Sequence, residues 1–234
     1  MTVLLLIISA LFATCCVVLW QRQRALKREA YIRAFVLPAG LFEKLRKHHP
    51  QLSLKDCQLV AHGLRQFFLS HLKSGRQFVA MPSQVADDMW HEFILYTRNY
   101  QAFCKQAFGQ FFHHTPAVML GQARMSNAGL RRCWHYVCKE ETINPRAPTR
   151  LPLLFVLDAK LGIANGFRYV AACETVRRQG KDTGGNGGVY CGGDFSSSSL
   201  DGGTDGLSDS GGNGQGGDSG DGGSDGCGGG CGGD

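Results

Sequence analysis

The residues with the clearest capacity for chemistry are Asp87, His91 and Glu92, which lie on one predicted helix. Asp87 and His91 are four residues apart, so they share a helix face and could hold one metal ion or each other. Glu92 directly follows His91 and could assist as a ligand or a base. A His-Glu-x-x-His motif would need its second histidine at position 95, where the chain has Leu95, so that motif is incomplete.

Two further histidines, His113 and His114, follow the same helix in the segment Gly109–Pro116. They could fold back toward His91, and the sequence therefore predicts a divalent-metal site of Asp87, His91, His113 and His114. Apart from such a metal, no cofactor is expected. The alternative interpretation is structural: the helix dipole accounts for Asp87, a hydrogen bond accounts for His91, and the paired histidines end a turn.

The cysteines give weaker signals. Cys133 and Cys138 are five residues apart on a predicted helix, so their thiols point to different faces and do not form a CxxC pair. Cys191, Cys227 and Cys231 lie in the glycine-rich end, where the last two could bind a soft metal, form a disulfide or do neither. Because the other cysteines lie among apolar residues, the pattern favours a reducing compartment over a disulfide framework.

The chain has no Walker-type loop, dinucleotide fingerprint or nucleophile elbow. Since no complete catalytic set is present, the sequence favours a protein that is not an enzyme, without deciding the point.

Helical patterns predict the elements that would position these residues. One short helix is predicted over Pro38–His49, and a second over Leu54–Lys73, with Ser53 and Asp56 as its capping box and Gly75 as its stop. A long helix is predicted from the cap Ser83 to Gly109. Its inward stripe comprises Ala86, Trp90, Phe93, Thr97, Tyr100, Cys104 and Phe108.

Two more helices complete the predicted body. One begins at the cap Ser126 and runs to about Glu141, and its inward residues are Leu130, Cys133, Trp134 and Val137. The other spans Leu153–Ile163. Because strand-like alternation is scarce, the fold class predicted is all-α.

The N-terminal segment Thr2–Trp20 is an uncharged apolar stretch of 19 residues. At about 1.5 Å per helical residue it nearly matches a hydrocarbon core of about 30 Å. Arg22, Arg24, Lys27 and Arg28 follow it, whereas no basic residue precedes it, so the positive-inside rule predicts an external N-terminus and a cytoplasmic domain. A cleaved signal peptide is the alternative, but a basic leading region and a good cleavage site are lacking.

Composition divides the chain into three parts. Residues 1–30 are predicted as a transmembrane anchor with a basic flank, 31–178 as a small helical domain, and 179–234 as a disordered tail rich in glycine and aspartate. Residues 180–234 hold 24 of the 32 glycines. The net charge of +6 combines about +14 in residues 1–179 with −8 in the tail, which has nine Asp and one Lys.

The string WHEFILYTRNYQAFCKQAFGQFFHHTP, from Trp90 to Pro116, resembles a pattern of uncharacterised bacterial glycine-rich domain-containing proteins. More distantly it is similar to the tryptophan-histidine helix of the plant glycine-rich domain proteins. The resemblance covers about residues 40–170. It implies a helical domain followed by a glycine-rich end, and it assigns a catalytic role to no residue.

Together these features predict a single-pass protein of the bacterial inner membrane, anchored in the bilayer by residues 2–20. Its cytoplasmic domain is predicted to bind an unidentified protein partner or to organise an envelope assembly. The rival hypothesis is a metal-binding domain or metal-dependent hydrolase that uses His91 with His113 or His114. A third hypothesis is a basic binder of membrane surfaces or nucleic acid. Because the basic cluster adjoins the anchor, lipid headgroups are favoured and no specific nucleic acid is expected.

Overall fold

The computed structural model describes residues 1–114, 128–171 and 189–195. Seven helices and two short strands occur within these ranges. The helices are α1 (Thr2–Ala34), α2 (Leu41–His48), α3 (Leu54–Lys73), α4 (Gln84–Leu95), α5 (Thr97–Ala107), α6 (Ala128–Glu140) and α7 (Leu153–Lys160). The strands are β1 (Arg168–Val170) and β2 (Val189–Cys191), and a 3-10 turn follows at Gly192–Phe195. The predicted all-α class is confirmed.

Helix α1 is one uninterrupted helix of 33 residues that joins the apolar segment to the domain. Its first part is exposed, whereas Ile32 near its end is fully buried. Its end packs on α3 and α5, and Tyr31 contacts Phe103 with ring centroids 6.0 Å apart. Arg33 binds Glu140 of α6 at 2.6 Å. The predicted boundary at residue 30 therefore falls inside a helix, and the described structure has no linker there.

Helix α1 is long and apolar enough to cross a membrane, with a mean hydropathy of 2.8 in its most apolar window. This holds by length and composition alone, and a signal sequence meets the same criteria.

Helices α2 and α3 follow local signals in the sequence. The capping box of Ser53 and Asp56 is present, and α3 has the predicted bounds Leu54–Lys73. Gly75, just after it, has a φ of +72°, the left-handed conformation that glycine adopts readily. Helix α2 begins at Leu41 rather than Pro38, because its N-cap Gly40 also has a positive φ, of +86°.

The long helix predicted from Ser83 to Gly109 is wrong in one respect, because it breaks at Tyr96 into α4 and α5. The Tyr96 hydroxyl donates to the carbonyl of Ala39 at 3.2 Å, which ties the break to the start of α2. The change of direction exposes Thr97, which was predicted to face inward, and buries Phe103 in its place.

Helices α6 and α7 lie close to the predicted spans. Ser126, the predicted cap of α6, lies outside the described residues. Cys133, Trp134 and Val137 are buried as predicted, and Cys138 is buried as well. Helix α7 ends at Lys160 rather than Ile163.

The glycine-rich end contributes to the domain. Strand β2 pairs in parallel with β1, in the register Arg168 with Val189 through Val170 with Cys191. Phe195 is only 7% exposed and packs on Trp134 at 5.6 Å between ring centroids. Residues 189–195 were predicted to belong to the tail, so the structure moves the edge of the domain to at least Phe195. The rest of the predicted tail lies outside the described residues.

Candidate functional site

Three of the four predicted metal ligands come together at the start of α4. Asp87 Oδ1 lies 2.9 Å from His114 Nε2, and Asp87 Oδ2 lies 3.7 Å from His91 Nδ1. One potential ligand atom from each residue lies within 4.8 Å of the other two. The side chains of Asp87 and His114 are 15% and 10% exposed, whereas that of His91 is 49% exposed. The cluster therefore has one solvent-facing side.

These distances suit an ion pair as they stand and a metal site after a small adjustment. Two ligands of one tetrahedral Zn²⁺ at about 2.0–2.1 Å from the ion lie roughly 3.3 Å apart. The shortest separation here is a hydrogen-bond distance, and the widest exceeds that value, so the side chains would have to move by about 1 Å. Two imidazoles and one carboxylate would leave coordination positions for solvent. Residues 115–127, which follow His114, contain no His, Cys, Asp or Glu.

A hydrogen-bonded chain of aromatic residues places His114 beside Asp87. Trp90 Nε1 donates to the Tyr100 hydroxyl at 3.2 Å, and that hydroxyl donates to the carbonyl of Phe112. The Phe112 ring lies 5.0 Å from the Trp90 ring, and Trp90 in turn contacts the His114 ring at 4.5 Å. Helices α4 and α5 therefore hold the backbone two residues before His114, which directs that imidazole toward Asp87.

His71 lies beneath this chain as a buried imidazole. Its ring stacks on Phe112 with centroids 3.8 Å apart, and its Nδ1 lies 2.9 Å from the carbonyl oxygen of Gln77. Its Nε2 is buried without a hydrogen-bond partner among the described residues. Burial, together with the nearby charge of Arg76, lowers the pKa of His71 to about 4.

We expect this histidine to make the fold sensitive to acid. An unfolded His71 would bind a proton near pH 6.5, whereas the folded one binds it near pH 4, so its contribution is complete above pH 6.5 and is lost as the pH falls toward 4. The difference corresponds to about 3 kcal/mol. Urea unfolding of the wild type and His71→Gln at pH 7 and pH 4.5 measures it. If the free energy of unfolding falls equally in both proteins between pH 7 and pH 4.5, the prediction is contradicted.

Two of the residues proposed from sequence lie outside the cluster. His113 is exposed, and its ring lies 4.8 Å from that of Phe111 rather than near His91. Glu92, proposed as an assisting ligand or base, points toward α2 and lies 3.1 Å from His48 Nε2 and 3.5 Å from Lys44 Nζ. Because successive helical residues are rotated by about 100°, Glu92 leaves the face that carries His91.

Sequence reasoning missed a second set of histidine–carboxylate pairs on α4. His49 Nε2 lies 2.7 Å from Asp88 Oδ2, next to the pair of His48 with Glu92. These contacts attach α2 to α4. No local pattern signals them, since about 40 residues separate the partners in the chain.

A small pocket adjoins the cluster. Asp87, Trp90 and His113 lie on its wall, together with backbone and side chains of the segment 78–81 and Phe167. Asp87 therefore belongs both to the histidine cluster and to the wall of this pocket.

Cys133 and Cys138 do not form a reactive pair. Cys133 and Cys138 are fully buried, and burial raises the pKa of each thiol to about 12. Cys191 is disulfide-bonded, and because the six other described cysteines are free, its partner lies outside the described residues. The predicted reducing compartment rests on the cysteines outside the glycine-rich end, and the six of these that the structure describes are free. Cys191, in the glycine-rich end, differs from them.

The fold and the cluster define a class: an all-α domain attached to an apolar N-terminal helix, with a histidine–carboxylate cluster at one helix start. A family model described as UCP032817-like matches residues 27–195, so the chain belongs to this uncharacterised family. The match ends at Phe195, where the described structure also ends. No curated protein and no solved structure matches the chain. The resemblance to glycine-rich domain proteins stays a prediction.

Proposed function

We propose that this protein is a single-pass membrane-anchored module whose helical domain acts as a protein-interaction or envelope-associated scaffold at a bacterial inner membrane. The observation that carries the proposal is the continuity of α1, which leaves the domain without a break and exposes the apolar residues of Thr2–Trp20. Exposed side chains of this kind need a lipid environment or a partner to cover them. Because α1 also packs on α3 and α5, the anchor would fix the orientation of the domain relative to the bilayer.

Two observations bear on the side of the membrane that the domain occupies, and they favour opposite sides. The basic residues Arg22 to Arg28 directly after the apolar stretch favour the cytoplasm. The disulfide at Cys191 is typical of an oxidising compartment. We propose the cytoplasmic side, because the flanking charges determine the orientation during insertion. On that side we expect the thiol of Cys191 to be reduced.

The anchor and its orientation give a direct prediction. We expect the full chain to stay in the membrane fraction after alkaline carbonate extraction and a chain lacking residues 2–20 to be released. Intact mass should show that residues 2–20 are retained. A C-terminal green fluorescent protein should fluoresce, and a C-terminal alkaline phosphatase should be inactive, because its disulfides need an oxidising compartment. The reverse reporter pattern, or removal of residues 2–20, would contradict the proposal.

Metal binding is the second candidate function, favoured by the convergence of Asp87, His91 and His114. Two imidazole nitrogens and one carboxylate oxygen form a ligand set used by Zn²⁺ and by non-haem Fe²⁺. A metal held by three ligands keeps open positions, at which it lowers the pKa of bound water and supports hydrolysis. Asp87 lies in the first turn of α4, at the end of the helix dipole that favours acidic side chains.

The neighbouring histidines offer a matched pair of variants for testing this function. If the cluster binds metal, we expect near-stoichiometric zinc or iron in the purified full chain, lost in His114→Ala and in His91→Ala. His113→Ala should retain the metal, because His113 points away from the cluster. A folded but metal-free wild-type chain would leave Asp87 and His114 as a structural ion pair and would favour the scaffold alone.

A further inference from the structure

The end of the domain nearest the membrane is defined by the direction of α1. Arg28, near the C-terminal end of α1, lies against Gly109, two residues beyond the end of α5, where a β-carbon would come within 2.4 Å of Arg28 Nη2. Farther along α1, Arg33 and Glu29 contact residues at the C-terminal ends of α3 and α6. The loops that follow α3 and α5 therefore face back along α1, toward its apolar segment.

Three arginines meet at this end. Arg24 and Arg76 both lie within electrostatic range of Arg28. Arg76 also donates to the carbonyl of Phe108 at 3.0 Å, next to Gly109. Within the described ranges no carboxylate forms an ion pair with any of the three, because Glu29 is bound to Arg33 and Lys73 instead. The cluster thus concentrates positive charge that the domain itself does not neutralise.

The depth of these residues matches a headgroup layer. Arg24 and Arg28 follow Trp20 by four and eight residues, which is about 6 and 12 Å along a helix axis. The polar region of a bilayer extends roughly 5–8 Å beyond the hydrocarbon core on each side, and helix tilt and long arginine side chains bring Arg28 within its reach. Arg24 already lies over the Trp20 ring at 5.3 Å, a pairing suited to the membrane interface.

Aromatic residues flank the arginines. Phe78 is 42% exposed, two residues after Arg76, and Phe111 is 46% exposed, two residues after Gly109. Exposed aromatic rings beside cations are suited to the boundary between headgroups and acyl chains.

We propose that Arg24, Arg28 and Arg76 form a site for the phosphate of an anionic phospholipid, with Phe78 and Phe111 resting on the bilayer surface. The proposal rests on the membrane anchoring proposed above and deepens it. The bound lipid holds the loops after α3 and α5 against the bilayer. The pocket beside Asp87, which includes Phe78 and Ala80 of the loop after α3, then lies close to the membrane surface.

The test uses the full chain in nanodiscs of phosphatidylcholine with increasing phosphatidylglycerol. Hydrogen exchange is followed at the amides of residues 75–78 and 109–111. We expect exchange to slow as phosphatidylglycerol is added. In R28Q/R76Q, the phosphatidylglycerol fraction needed for half of this effect should rise by roughly tenfold or more, since two of three cations near the surface are lost. R46Q/R98Q, which removes the same charge from exposed positions on α2 and α5, is the matched control and should behave as the wild type.

Hydrogen exchange at the same rate with and without phosphatidylglycerol would overturn the proposed site. So would a half-effect phosphatidylglycerol fraction that rises as much in R46Q/R98Q as in R28Q/R76Q. Slowing by inorganic phosphate in pure phosphatidylcholine discs would overturn the assignment to a lipid. R24Q provides a second variant, because Arg24 is exposed and its replacement leaves the packing of Arg76 on Phe108 intact. Should the anchor itself fail, the chain would not enter nanodiscs of either composition, which distinguishes that failure from failure of the headgroup site.

Discussion

Replacing Asp158 by alanine is expected to lower the free energy of unfolding by about 3–5 kcal/mol, because it removes a buried carboxylate with four donors. Asp158 is 3% exposed. It accepts hydrogen bonds from the Ser83 hydroxyl at 2.7 Å and from the backbone N–H groups of Gln84, Val85 and Phe167 at 2.7, 3.2 and 2.8 Å. Two of these amides belong to the first turn of α4, so their loss leaves buried donors unpaired.

Thermal and urea unfolding of the full chain in mild detergent, followed by circular dichroism, measures this loss. Asp158→Asn is expected to lie between the wild type and the alanine variant, since an amide keeps one acceptor but adds a donor without a partner. Asp56→Ala is the matched control, because Asp56 also caps a helix start but is only partly buried. A loss in Asp158→Ala no larger than in Asp56→Ala would show that water replaces the carboxylate.

Asp158 also shows why part of the fold could not be predicted from the sequence. Helix starts at Ser53 and Ser83 were predicted because the capping side chain and the amide it binds are three residues apart. The second cap of α4 comes from α7, 74 residues later in the chain. An aspartate within an apolar segment gives no local sign of such a partner, so only the tertiary packing reveals it.

The break at Tyr96 has a similar explanation. The apolar spacing from Trp90 to Cys104 fits one continuous helix as well as two, and neither Gly nor Pro marks the division. The contact of Tyr96 with Ala39 and the packing of α5 on α1 decide between them, and both are long-range.

The candidate site divides along the same line. The proximity of Asp87 and His91 could be predicted from their four-residue spacing, because helix geometry alone places the two on one face. The sequence does not distinguish His113 from His114 as the ligand, because adjacent residues in a loop point in different directions. Tyr100 decides between them by holding the Phe112 carbonyl, and it also accepts from Trp90.

The predicted domain edge at residue 178 excludes residues 189–195, because a glycine-rich composition favours disorder. Val189–Phe195 is rich in glycine, yet Gly192 lies where a β-carbon would come within 2.6 Å of the Trp134 ring. Glycine is required there by close packing rather than by flexibility. The glycine content of the whole tail does not reveal that this short segment ends in the buried residue Phe195.

Two truncations seven residues apart should therefore differ strongly in stability. A chain that ends after Phe195 is expected to unfold with the same free energy as the full chain, whereas one that ends after residue 188 is expected to lose about 3–5 kcal/mol. The shorter chain loses the Phe195 ring, which packs on Trp134, Phe155 and Tyr169 at 5.6–6.0 Å between centroids. It also loses the partner strand of β1.

Both truncated chains are compared with the full chain under reducing conditions, so that the disulfide at Cys191 contributes to none of them. Phe195→Ala in the full chain isolates the ring from the strand, and it should account for most of the loss because the strand pair has only three residues on each side. Equal stability of the two truncations would mean that β2 and Phe195 rest on the domain without stabilising it. A loss already present after truncation at Phe195 would instead place part of the stabilising structure beyond that residue, and the domain would then extend past the end of the family match.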